Sequence, residues 1–332
     1  MKKVLVLSTG GTIVSGKTKG GLAPEPDSSE LKRALETLSV QFLITHREIL
    51  NLDSSNIQPE EWKIIAEEIY SGLAGHDGVV ITHGTDTMAY TSAAVTFMLR
   101  NLHKSVVFTG SQIPLGSALS DGRANLATAF AAVEQEIAGV NIAFHYKLIS
   151  GCRAVKVRSM GLDAFVSVNF PYRGRIYADG VAIDDFAQYD RNPDAETCLD
   201  PSLCSRVFLL KLFPGTDPRV FEALLQMNCR GLVLETFGAG GLHIARRDLV
   251  EGIENLVRQG VAVVVCSQCL YDWSDISIYN VGKTLAAAGV IEGKDMTTEA
   301  AVTKLMWALG KTESLETIRE IFATDYAGEI TL

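Results

Sequence analysis

Two threonines stand where a hydroxyl could act on a carbonyl group. Thr12 follows the apolar run Lys3–Leu7 and the turn Ser8-Thr9-Gly10-Gly11, and Thr85 lies in the stretch VVITHGTDTMAY, Val79 to Tyr90. Each comes just past the carboxyl end of a predicted parallel strand, each has glycine close by, and Asp86 adjoins the second. A threonine hydroxyl is a poor nucleophile until a base accepts its proton, so a catalytic reading needs a base that these two motifs do not themselves identify. Glycine lets backbone amides approach a substrate carbonyl and donate where negative charge develops. His83 shares the second loop and reads as a structural group rather than a general base. The plainer alternative is that the loop only starts a helix, with Thr85 or Asp86 as its N-cap.

Elements that would position these residues follow from the periodicity. Short apolar runs that end in turns (Lys3–Leu7, Phe42–Ile44, Val79–Thr82, Ser105–Phe108) alternate with amphipathic segments, among them one carrying Leu31, Ala34, Leu35 and Leu38 behind a Ser28 or Ser29 cap. Another opens on Pro59, Glu60 and Glu61, and a third covers Ala124 to Ile137. Such alternation predicts an α/β fold with a mostly parallel sheet flanked by helices, and ligands in such sheets sit beyond the carboxyl ends of the strands. From Asn141 the helical period is lost and hairpin strands are expected, with Lys156 on this excursion. Residues 1–185 form a larger N-terminal domain, 186–205 a polar linker, and 206–332 a smaller parallel α/β domain. The loop SGKTKGGLAPEPD after the first strand has the composition of a mobile lid.

Composition narrows the function. The chain has 332 residues, 47% hydrophobic and 21% charged, with a net charge of -9 from 30 Lys plus Arg against 39 Asp plus Glu. No basic stripe with interleaved aromatics is present, which argues against nucleic acid as a partner. The amino-terminal apolar run stops after about five residues, short of the ~7–15 of a secretory signal, and no window approaches a membrane span. Six scattered cysteines in such a chain fit reduced thiols and a cytoplasmic protein.

Two motifs are decoys. GTIVSGKT, Gly11 to Thr18, has the phosphate-binding spacing, but the residues after it, KGGLAPEP, oppose the helix that would have to face the phosphates. Cys266 and Cys269 form a CxxC, but no second pair stands at matching spacing to complete a zinc site, and free thiols are the simpler reading.

STGGTI at Ser8 to Ile13 and GVVITHGTDTM at Gly78 to Met88 resemble the two signatures of the asparaginase and glutaminase family. NLDSSN, FTGSQIP, SGCRAVK and DMTTEAAVTKLMWAL extend the likeness along nearly the whole chain, in the pattern of the cytoplasmic type I bacterial members. The resemblance implies hydrolysis of L-asparagine to L-aspartate and ammonia in two acyl-transfer steps, without metal or organic cofactor. By position, Thr12 would form the acyl-enzyme, and Thr85, Asp86 and Lys156 would form a second polar group that handles protons and water; which threonine attacks first stays open. Asp86 would also hold the substrate ammonium, and Ser54 and Ser55 its carboxylate, with Asp53 in the same loop. Ser267, Gln268 and Cys269 correspond to an allosteric asparagine site of some members, but Glu235 stands where those carry arginine. Leu22 stands near where many relatives have a lid tyrosine, and Val14 where a small residue is common. Dimers or tetramers are implied, with Asp272 or Asp275 near a neighbour's substrate. The alternatives are a glutaminase or other amidohydrolase, and a non-catalytic asparagine sensor. Ser55, where broader-specificity relatives carry glutamine, leans toward asparagine.

Overall fold

Val4, Leu5, Val6 and Leu7 are wholly buried, as an unbroken apolar run must be when helices cover both faces of its sheet. The structure, a computed structural model, describes residues 1–18, 21–24, 29–184, 195–278 and 280–331, with backbone alone over 14–18 and 21–24. The chain divides into two units, Met1–Pro201 and Ser202–Leu332.

In the first unit the strands are β1 (Lys3–Gly10), β2 (Ser15–Thr18), β3 (Gly21–Pro24), β4 (Leu43–Leu52), β5 (Gly78–Thr82), β6 (Leu99–Arg100) and β7 (Ser105–Thr109). They continue with β8 (Gly139–Phe144), β9 (Lys147–Ser150), β10 (Ala154–Lys156), β11 (Phe165–Ser167), β12 (Gly174–Tyr177), β13 (Gly180–Ile183) and β14 (Cys198–Leu199). Helices α1 (Ser29–Leu38), α2 (Pro59–Leu73), α3 (Met88–Met98) and α4 (Gly122–Glu134) join the parallel strands. The main sheet runs β13-β12-β9-β8-β7-β5-β1-β4, parallel from β4 through β8 and antiparallel beyond it. β1 lies between β4 and β5, so the direction of winding reverses there, and the place where such sheets bind ligands lies beyond the carboxyl ends of β1 and β5. On one face Val4, Val6, Val80 and Val107 pack with Leu31 and Leu35 of α1 and Leu126 and Phe130 of α4.

Several boundaries differ from the sequence expectation for physical reasons. β4 runs to Leu52 rather than ending at Ile44, because it is the outer strand and its polar positions face water. The lid stretch contains the antiparallel ribbon β2–β3, while residues 19–20 and 25–28, including Ser28, and the Val14 and Leu22 side chains lie outside what is described. A strand at Ser15–Thr18 also means that no helix starts at the Lys-Thr pair of the phosphate-loop decoy. The excursion opens with the hairpin β8–β9, turned by His145 and Tyr146 at φ 48 and 61, the left-handed pair that a two-residue turn requires, and continues through the antiparallel pairs β10–β11, where Lys156 ends β10, and β12–β13. Of the stretch 186–205 expected to link the domains, 186–194 is outside the described residues, and β14 within it pairs with β6.

The second unit has strands β15 (Val207–Lys211), β16 (Gly231–Thr236), β17 (Ala262–Ser267) and β18 (Ile291–Glu292), all parallel and in that spatial order. Its helices are α5 (Arg219–Gln226), α6 (Val250–Arg258), α7 (Asn280–Ala288), α8 (Thr298–Lys311) and α9 (Leu315–Ala323). An ion pair with no exposure, Lys304 to Glu329 at 2.6 Å, ties α8 to the chain's final segment. Among the described residues no helix is long and apolar enough to cross a membrane.

Candidate active site

Three loops meet at the reversal point of the first unit's sheet, and the close approach of glycine backbones sets the spacing of two of them. Gly10 and Gly11 have φ of 107° and 83°, a region open to glycine, and Gly11 donates its N–H to the Leu52 carbonyl at 3.0 Å. A Cβ on Gly11 would lie 2.4 Å from Gly84 N, and one on Gly84 would lie 2.6 Å from Ser54 Oγ. The loops after β1 and β5 therefore approach main chain to main chain, and the loop after β5 meets the loop after β4 through the Ser54 side chain. Thr12 directly follows Gly11 and Thr85 directly follows Gly84, so the close approach of those two glycines brings both hydroxyl-bearing residues to the same edge of the sheet.

Thr85 is nearly buried and sits in a chain of hydrogen bonds. Lys156 Nζ donates to Thr85 Oγ1 at 2.7 Å and to Asp86 Oδ1 at 2.5 Å, and the Thr85 hydroxyl donates to Gln112 Oε1 at 3.0 Å. Lys156 is only 14% exposed along its side chain whereas Asp86 is 68% exposed, so the lysine is held inside while the carboxylate reaches outward. Neither Thr85 nor Asp86 is the helix cap. That position falls to Thr87, whose hydroxyl instead donates to the Ser54 carbonyl at 2.7 Å. A loop whose side chains are engaged with distant segments has none left for its own helix.

Ser54 is buried, and its Oγ accepts the Asp86 N–H at 3.3 Å, which leaves the hydroxyl proton available to another acceptor. Ser55 is committed differently: its N–H and its hydroxyl both donate to Asp53 Oδ1, at 2.9 and 2.6 Å. The Ser55 hydroxyl and then its backbone N–H hold the Asp53 carboxyl below the usual carboxylate range. Asp53 thus caps the short turn Ser54–Asn56.

His83 has no exposure; burial pushes its imidazole down to about 4, against the Gly84 carbonyl that its Nδ1 meets at 2.7 Å. It is a neutral structural ring, packed edge-on to Phe108, rather than a base at neutral pH. Sequence reasoning missed Gln112 and Thr87. Gln112 was within reach of it, since the FTGSQIP loop leaves β7 at the same sheet edge as Thr12 and Thr85.

Ser267, Gln268 and Cys269 lie at the end of β17 in the second unit. Gln268 Nε2 donates to the carbonyls of Leu212 and Glu235, at 2.5 and 3.0 Å, and Ser267 Oγ accepts the Cys269 N–H at 2.9 Å. The Glu235 carboxylate accepts from the Thr298 hydroxyl at 2.6 Å and faces Lys211 at 3.5 Å. Close by, burial raises the Glu299 carboxyl to about 7, with Glu235 adding to the rise. At this corner a carboxylate, itself paired with Lys211, stands where a bound carboxylate would want a cation. Burial also pushes the Cys266 thiol up to about 12, an inert group for half of a CxxC. Asp272 is a left-handed residue at φ 72, and Asp275 is taken up by the Ser277 N–H and hydroxyl. Among the described residues no cluster of three or more His, Cys, Asp or Glu could hold a metal ion.

The chain is similar to known proteins along nearly its whole length. Residues 3–188 match the family described as asparaginase, N-terminal, and residues 206–322 the glutaminase/asparaginase C-terminal domain. An L-asparaginase of Thermococcus kodakarensis is 41% identical over 99% of each chain, and the structure of the thermostable L-asparaginase from Thermococcus kodakarensis superposes with a TM-score of 0.92, covering 99% of both chains at 42% identity. L-asparaginase I of Vibrio cholerae gives a TM-score of 0.89 at 32% identity, covering 100% of this chain and 99% of that one. A glutamyl-tRNA(Gln) amidotransferase subunit of Pyrococcus abyssi is 36% identical over 100% of this chain and 77% of its own.

Proposed function

The chain belongs to the asparaginase family, and from that premise we propose that it hydrolyses L-asparagine to L-aspartate and ammonia through an acyl-enzyme on Thr12. The observation that carries the reading is the Lys156 amine set at 2.7 Å from the Thr85 hydroxyl and 2.5 Å from Asp86, beside the loop that presents Thr12. In the first step the Thr12 oxygen bonds to the side-chain amide carbon, the C–N bond breaks, and ammonia leaves carrying the proton that Thr12 gave up. In the second, water adds to the ester carbon, its proton returns to the Thr12 oxygen, and aspartate departs. Lys156 and Thr85 move the protons and hold the water. Asp86, exposed beyond its contact with Lys156, pairs with the substrate ammonium, and the Ser54 hydroxyl donates to the α-carboxylate. Fixing both ends of a zwitterion pins the amide against the hydroxyl, which is where most of the rate gain from positioning arises. Gly11 does not contribute its amide to the oxyanion, because that N–H closes the loop onto Leu52.

The reading includes a cytoplasmic chain that associates as a dimer or tetramer, in keeping with exposed Leu270, Tyr271 and Trp273. The likeness to an amidotransferase subunit keeps glutamine as the rival amide. Ammonia release from asparagine and glutamine, measured side by side for wild type and Thr12→Ala, tests the reaction, its preferred amide and the nucleophile. Asparagine is the faster substrate, and the variant loses at least ~10³-fold in kcat/KM. Undiminished activity in Thr12→Ala overturns the assignment of the nucleophile; binding of asparagine without turnover in wild type makes the protein a sensor.

A further inference from the structure

We propose that Gln112 is a positioning residue that fixes which way the Thr85 hydroxyl points, so that Thr85 meets the attacking group as a hydrogen-bond acceptor. The proposal rests on the amide-hydrolase reading above. Gln112 Nε2 lies 3.2 Å from the Ser159 carbonyl oxygen and 3.1 Å from that of Gly161. Carbonyl oxygens only accept, so turning the amide over would set its own oxygen against two others. Oε1 is thereby held toward Thr85 Oγ1, at 3.0 Å. An amide oxygen also only accepts, and the hydroxyl has a single proton, so that proton is directed at Gln112. Lys156 fills one of the two remaining lone pairs from 2.7 Å, and the other is left for a third group.

The consequence is a direction for proton movement. Water or the Thr12 hydroxyl can donate to Thr85, but the amide oxygen of Gln112 is not a base and cannot take a proton onward. A proton passes from Thr85 to Lys156 only after the ammonium has given one of its own to Asp86 or to solvent, and the hydroxyl has to swing from Gln112 to the amine for that to happen. Gln112 itself is held at both ends. Its N–H and that of Ile113 donate to the Asp121 carboxylate at 3.0 to 3.1 Å, and Asn125 Nδ2 steadies the same carboxylate at 3.0 Å. Its amide tip binds the turn between β10, which carries Lys156, and β11. One glutamine therefore sets the distance between the lysine's strand and the end of β7 as well as the rotor between them.

Two variants test this by steady-state kinetics on asparagine from about pH 5 to pH 9, with thermal unfolding alongside. Gln112→Met, which keeps the volume but not the acceptor, loses ~10- to 100-fold in kcat while KM stays within about twofold. Gln112→Glu is comparably impaired when ionised, since its second oxygen then faces the two carbonyls. On protonation its O–H donates to a carbonyl and its C=O faces Thr85, so its kcat relative to wild type recovers by ~5- to 10-fold toward acid pH. Wild-type kcat in both variants, a Gln112→Glu defect that does not vary with pH, or a change confined to KM overturns the proposal. If wild type itself releases no ammonia from asparagine, the parent reading fails and the proposal with it; an active wild type beside indifferent variants sinks the proposal alone.

Discussion

Replacing Glu299 by Gln should stabilise the protein at alkaline pH and do little at acid pH. Glu299 lies in the first turn of α8, where the Thr297 hydroxyl accepts the Ala300 N–H at 3.1 Å, and burial lifts its carboxyl from 4.5 to about 7. At ~1.4 kcal/mol per pH unit this rise is worth about 3 kcal/mol. Its sign is set by proton counting: between those two values the folded chain binds more protons than the unfolded one, so stability is intact below the unfolded value and is lost as pH rises through the folded one. The positive end of the helix favours the carboxylate by only about 0.5–1 kcal/mol, so burial wins. A neutral amide of the same shape removes the cost of charging. Its advantage over wild type should grow from about 1 kcal/mol near pH 5 to about 3 kcal/mol near pH 8. Urea unfolding followed by tryptophan fluorescence reads this, because Trp307 is buried on the same helix. A gain that is equal at the two pH values, or a loss at the higher one, refutes burial as the controlling cause.

Two further outcomes are expected of the same structure. Gly84→Ala should lower kcat by ~10²-fold and stability by about 1–3 kcal/mol, because the new methyl would meet Ser54 Cβ at 2.6 Å; kcat within twofold of wild type would show that the loops can part. Thiol labelling near pH 8 should modify exposed Cys198 and Cys269 first and reach Cys266 only on unfolding, since its thiol is buried and pushed up to about 12; fast labelling of Cys266 in the folded chain contradicts that.

What could be read from the sequence was what local pattern controls. The buried runs Val4–Leu7 and Val79–Ile81 declared themselves as parallel strands, and the turns after them marked the sheet edge where ligands gather. β4 was legible only in its first residues, because an outer strand wets one edge and so carries Thr45, Arg47 and Glu48 in place of an apolar run. The cap was misread for a related reason. Thr85 and Asp86 look like a cap to their neighbours, but their partners, Gln112 and Lys156, are remote in sequence. Gln112 escaped notice because a lone glutamine on a loop has no period and no charge; only the carbonyls of Ser159 and Gly161, brought in by the fold, give its amide a direction. Asp53 and Ser55 entered as candidates to bind substrate, and the fold engages them with each other.

The contact of Gly11 with Gly84 has a bearing on redesign. Where peptide groups themselves abut, the gauge of the cleft belongs to the skeleton, and repacking the interior of the sheet will not stretch it. A bulkier amide would have to be admitted by paring back side chains along the rim.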